Sequence, residues 1–174
     1  MDRALVVGKT SFMADYGGVF ENSSWIAEQV WDRGLHSGNG PQLHAAFSDV
    51  IRNADRERQL ALLRAHPQLA SAIASGEELT AESQGEQRDA GLDQCSAAEF
   101  EEFRQLNSTY SDKFSFPFII AVKGLGRKQI LESFRTRILN GPELEFSEAL
   151  EQVIRIGEFR LRDIATQQEE SDDG

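Results

Sequence analysis

The sequence predicts an all-α protein, a single compact domain of about eight helices, and three observations carry that reading. Apolar residues recur at helical spacing through most of the 174 residues. Start and stop signals, Ser or Asp before the apolar stripes and Gly after them, cut the pattern into helix-length pieces. A single short run, FPFIIAV at 116–122, favours extended backbone through Pro117 and its β-branched residues, and no second strand is visible for it to pair with.

From the N-terminal side, WIAEQVWDR (25–33) can be capped by Ser23 or Ser24 and ended by Gly34, Pro41 can open QLHAAFSDVIRNA (42–54), and Asp55 can cap RERQLALLRA (56–65). The rhythm then meets His66-Pro67. Proline lacks an N–H and pushes the residue before it out of the α region. One helix should therefore stop at His66, with a second, PQLASAIAS, starting at Pro67 under a His66 cap and running to Gly76. AESQGEQRDA (81–90) ends at Gly91. Ser96 with Glu99 makes a capping box for SAAEFEEFRQLNSTYSDKF (96–114), in which Phe100, Phe103, Leu106, Tyr110 and Phe114 fall at helical spacing. RKQILESFRTRILN (127–140) and SEALEQVIRIGEFRLRDIA (147–165) complete the helices. Residues 1–166 form the expected domain, and the acidic 167–174 is expected to fray into solvent.

Composition narrows the function. Hydrophobic residues at 40% and charged residues at 27% are ordinary for a globular protein. No apolar run approaches the roughly 20 residues of a membrane span, and the first ten residues show no signal-peptide pattern. The single Cys95 fits a reducing compartment and, without basic neighbours, a structural thiol. SDDG is not a peroxisomal address, so a cytoplasmic location is expected. The net charge of −11 argues against nucleic acid and for a small molecule, and an anionic one would need a local cation. There is no CxxC, no HExxH and no metal-spaced His/Asp set, and GKT at 8–10 lacks a preceding Gly-rich loop, so neither a metal nor a cofactor is expected.

Four features could carry chemistry. His66 is either a capping group or a chemical one, since a ring at a helix mouth has its charge set by its neighbours. Ser83, Glu86, Gln87 and Ala90 share one helical face, so the polar stripe is either solvated or lines a polar cavity. On the last helix Arg160 falls within the face formed by Ala149, Leu150, Val153, Ile156, Gly157, Leu161 and Ile164, whereas Arg162 points away with Glu151, Arg155 and Glu158. A guanidinium on an apolar face needs a carboxylate or a ligand anion, so Arg160 is either an ion-pair member or the cation that an anionic ligand requires. The backbone groups of FIIAV have no sheet to join and must be met by a neighbouring loop or by a ligand, such as a planar ureide or imidazolone ring.

Taken in order, GGVFENSSW (17–25), HPQLA (66–70), LTAESQGEQRDAGL (79–92), LNSTYSDKFSFPFIIAVKG (106–124) and IGEFRL (156–161) resemble the 2-oxo-4-hydroxy-4-carboxy-5-ureidoimidazoline (OHCU) decarboxylase family. The resemblance runs from about residue 10 to 165 and implies an all-helical, cofactor-free homodimer that turns OHCU into (S)-allantoin and carbon dioxide on the urate-to-allantoin route. It implies His66 as proton donor, with Glu86 and Arg160 as its catalytic partners. Pro67, the SxxEQ residues Ser83, Gln84, Gly85, Glu86 and Gln87, and the backbone of Phe118, Ile119, Ile120, Ala121 and Val122 are implied to bind substrate. Two stretches depart from the family pattern: EHSPW reads Glu21-Asn22-Ser23-Ser24-Trp25, and the glycine of KFGFPF is Ser115. A competing reading is a non-catalytic helical module that binds a ureide or a partner segment in the same pocket.

Overall fold

The computed structural model describes residues 3–38, 40–70 and 80–172, with side chains over 8–38, 40–70 and 80–170. Among the described residues eight α-helices are present and no strand, in agreement with the all-α expectation. They are α1 (Arg3–Tyr16), α2 (Trp25–Asp32), α3 (Gly40–Arg52), α4 (Arg56–Ala65), α5 (Ala81–Asp89), α6 (Ala97–Phe114), α7 (Arg127–Arg137) and α8 (Pro142–Asp172), with a 3-10 turn at Leu92–Gln94. They group into two compact units, one from the described residues before His66 and after Val153, the other from those between His66 and Val153.

In the first unit α1 lies on α2 and α2 on α3. The apolar positions of α2 (Ile26, Ala27, Val30) and α3 (Leu43, Ala46, Phe47, Val50, Ile51) are buried, as their spacing predicts. Helix α1 is not evident from periodicity. It is held by Phe12, whose ring lies 5.5 Å from Trp31 of α2, and by Gly8, where an added Cβ would come 3.0 Å from the Trp31 ring. Ser24 stands at the α2 cap without a side-chain capping bond, and the Ser23 hydroxyl donates instead to Glu21 O at 3.0 Å. Asp55 does cap α4, its Oδ1 accepting from Arg58 N at 2.8 Å.

The second unit is centred on aromatic rings. Tyr110 of α6 lies within 6 Å of Phe114, Phe116, Phe118 and Phe134, and Phe118 stacks on Phe134 at 3.9 Å. The Ser96–Glu99 capping box forms with both of its hydrogen bonds, and Thr80 caps α5 by accepting from Ser83 N at 3.3 Å. Ser115 ends α6 at φ 64, the left-handed region that usually takes glycine. Asn22, another departure from the family pattern, is also left-handed, at φ 50.

Two expectations are changed. The helix expected to begin at Pro67 does not: His66 is a bend, Pro67–Ala70 are non-helical, and Ala70 has φ 58; the rest of PQLASAIAS, from 71 on, lies outside the described residues. His66 is therefore not the cap of a helix starting at Pro67. Helix α8 is longer than expected at both ends, opening at Pro142, a favoured first helical position, and running through 167–172, where the acidic composition predicts fraying.

Candidate functional site

Helix α4 ends at Ala65 and the chain leaves the helix at His66, as the proline that follows requires. The backbone beyond Pro67 is held by side chains from two other helices. Gln87 of α5 accepts from Ala70 N with Oε1 at 3.0 Å and donates from Nε2 to Gln68 O at 3.4 Å. Asn107 of α6 donates from Nδ2 to Leu69 O at 2.9 Å, and Gln68 Nε2 donates to Ser111 Oγ at 3.3 Å. These bonds replace the intrahelical ones that a Pro67 helix would have made, which is the physical reason the run stays irregular. His66 and Pro67 are half-buried at its head.

The α5 stripe is graded. Ser83 is buried, Gly85, Glu86 and Gln87 are half-buried, and Gln84 is exposed. The structure thus brings the SxxEQ and HPQLA stretches together through Gln87, which positions the segment following His66.

The FIIAV backbone is buried throughout, with Phe118 at 0% exposure and Ile120, the most open, at 8%. It is met by helix side chains. Arg137 Nη1 donates to Ile119 O at 2.7 Å, and Gln152 Oε1 accepts from Ala121 N at 2.9 Å. Among the described residues no hydrogen bond engages the Ile120 amide or carbonyl.

Arg137 is itself fixed. Its Nε and Nη2 donate to Oε1 of the fully buried Glu145 at 2.9 and 2.6 Å. The same oxygen accepts from Tyr110 Oη at 2.5 Å, while Oε2 accepts from Asn140 Nδ2 at 2.9 Å. Burial first, then the bond to Glu145, pushes the Tyr110 hydroxyl far above its ordinary 10.0.

Arg160 is 5% exposed and Arg162 is exposed, so the two arginines fall on the faces that their spacing predicts. Arg162 pairs with Glu158 on the surface. Arg160 pairs with Glu21 at 3.0 Å and donates from Nη1 to Val19 O at 2.8 Å. One turn earlier on α8, Gly157 meets Phe20, whose Cζ lies 2.4 Å from where a Cβ would stand. The GGVFEN and IGEFRL stretches are thereby matched residue to residue within the first unit.

Other titratable groups have structural settings. His44 Nε2 lies 3.3 Å from both Ile154 O and Ser48 Oγ, and His36 stacks on Trp31 at 3.8 Å. Burial, followed by the nearby Glu99, raises the Cys95 thiol pKa, the opposite of what a nucleophile needs. Sequence reasoning missed Asn107, Arg137, Glu145 and Gln152 as residues that shape the site. The criterion that singles out Arg160 would also find Arg137, because it continues the buried Ile130, Phe134 stripe of α7 at helical spacing.

Comparison with known proteins gives concordant results. The family model described as OHCU decarboxylase matches residues 7–162. A 2-oxo-4-hydroxy-4-carboxy-5-ureidoimidazoline decarboxylase of Halalkalicoccus jeotgali is 40% identical over 157 residues, covering 90% of this chain and 86% of its own. The uric acid degradation bifunctional protein PucL of Bacillus subtilis is 39% identical over 155 residues, which are 89% of this chain but only 30% of that protein. The crystal structure of an (S)-allantoin synthase superposes with a TM-score of 0.72 at 31% identity, over 92% of this chain and 52% of that one.

Proposed function

The chain belongs to the OHCU decarboxylase family, and we propose on that basis that it converts OHCU to (S)-allantoin and carbon dioxide without a cofactor. The observation that carries the site assignment is the irregular run after His66, pinned by Gln87 and Asn107 so that a histidine is held outside any helix.

Decarboxylation breaks the bond to the carboxylate and leaves its electron pair on the ring. The ring's conjugated C=N and carbonyl take up that pair, so the protein's tasks are to orient, desolvate and protonate. In this proposal the FIIAV backbone and the SxxEQ stripe hold the ring and ureido edges, and Glu86 engages the hydroxyl on the reacting carbon. His66 delivers the proton to one face once carbon dioxide has left, which sets the S configuration. Arg160, paired with Glu21 within the first unit, is proposed from the family resemblance as a further catalytic residue.

The test adds purified protein to freshly generated OHCU and follows circular dichroism. Faster appearance of optically active allantoin is expected. Only spontaneous, racemic decay would leave the non-catalytic binding module as the better reading. No described helix is long and apolar enough to cross a membrane. We further propose a cytoplasmic homodimer, for which light scattering should give twice the 19.4 kDa chain mass, and a single-chain mass would exclude it.

A further inference from the structure

Two helix side chains grip the FIIAV run at alternate residues, Arg137 at Ile119 O and Gln152 at Ala121 N. In an extended run the C=O of one residue and the N–H of the second residue on point to the same edge, and the groups between them point to the opposite one. The 119/121 edge is therefore taken by protein. Extended geometry then turns the Ile120 N–H and C=O to the other edge; Ile120 is 8% exposed, and no hydrogen bond engages its backbone among the described residues. One donor and one acceptor from a single residue match the neighbouring C=O and N–H of a cyclic ureide. We propose that Arg137 and Gln152 are positioning residues that hold this backbone so that the Ile120 edge is turned to the substrate ring. The inference rests on the decarboxylase reading.

Each grip is itself braced. Gln152 Nε2 donates to Glu148 Oε1 at 2.8 Å, which fixes which end of the amide faces Ala121. Arg137 is locked by Glu145, and its guanidinium lies 4.5 Å from the Phe118 ring centroid. A buried Arg–Glu pair contributes little to stability by itself, because apolar residues of similar volume do as well or better. Holding a backbone carbonyl in a defined direction is a task that apolar residues cannot perform. Lysine would keep the charge toward Glu145 but lacks the planar fork that reaches Glu145 and Ile119 O together.

The experiment uses Gln152→Leu, Gln152→Glu and Arg137→Lys in the full chain. Steady-state kinetics on OHCU and amide exchange at Ala121 without substrate are measured for each. Gln152→Leu and Arg137→Lys should raise KM about tenfold, the scale of one lost hydrogen-bond constraint, with a smaller change in kcat. Gln152→Glu, made together with Glu148→Gln so that the Glu148 carboxylate does not face it, keeps an acceptor for the Ala121 amide and should hold KM within about twofold of wild type. Ala121 exchange should speed up in Gln152→Leu alone of the two Gln152 variants. If both loss variants fold and exchange Ala121 faster, or lose thermal stability, while KM and kcat stay at the wild-type values, the grip is structural only and the proposal is overturned. A wild-type protein that does not accelerate OHCU decay would overturn the decarboxylase reading and this inference together, and is told apart by the wild-type rate alone.

Discussion

His66 leaves α4 because proline follows it, and it is kept out of a new helix because Gln87 and Asn107 claim the backbone of Gln68, Leu69 and Ala70. If it is the proton donor, His66→Asn should lower turnover by roughly 10²–10⁴, the usual range for a general acid or base. Near-normal rate and optical purity would remove it from the mechanism. Arg160 and Arg162 offer an internal control, two arginines on one helix with opposite surroundings. Arg160→Met should reduce kcat/KM well beyond Arg162→Met when both are assayed below their melting points. A defect confined to thermal stability would make Arg160 purely an ion-pair residue for Glu21.

Helix α8 shows how one element uses different residue types along a single face. Within the first unit its Gly157 leaves room for Phe20 and its Arg160 pairs with Glu21 and donates to Val19 O, so the 17–25 turn is seated by a small residue and a charged one in consecutive turns. A methyl group at 157 would stand 2.4 Å from a rigid ring atom. Gly157→Ala should therefore destabilise by about 1–3 kcal/mol despite alanine's better helix propensity, as overpacking does. A denaturation midpoint at or above wild type would show that Phe20 moves aside freely. Helix α6 ends on Ser115 at φ 64, so the position keeps the left-handed turn of a glycine C-cap while losing its residue.

For the whole molecule, the perturbed groups define a pH window. Hydrogen bonding to Arg104 holds the Glu101 carboxyl at about 2, and Arg135 likewise lowers Glu102. Carboxylates lowered by folding stabilise fully above their unfolded value, near 4.5, and lose that contribution as pH falls toward the folded value. Tyr110 acts at the other end. Its folded pKa is raised, so its contribution is complete below 10.0 and is lost as pH rises above that, when the unfolded chain ionises first. The melting temperature should thus be highest between about pH 4.5 and 10, with tyrosinate absorbance from Tyr110 appearing only on unfolding. Ionisation of Tyr110 near pH 10 in the folded protein would refute the buried network around Glu145. The acid-side contribution should be small, because both carboxylates are at the surface.

The sequence by itself determined the all-α class, most helix positions and the inward turn of Arg160, because periodicity and capping are local properties written in neighbouring residues. It also marked the HPQLA, SxxEQ and FIIAV stretches through the family they resemble. Only the tertiary structure decided that Pro67 begins no helix, since the deciding hydrogen bonds come from Gln87 and Asn107, distant in sequence. It alone supplied the Arg137–Glu145–Tyr110 network and the Gln152 grip, which join residues of α6, α7 and α8 to the FIIAV backbone. The physical reason is the same in each case: burial obliges a polar group to find a partner, but which partner it finds depends on where the chain folds back.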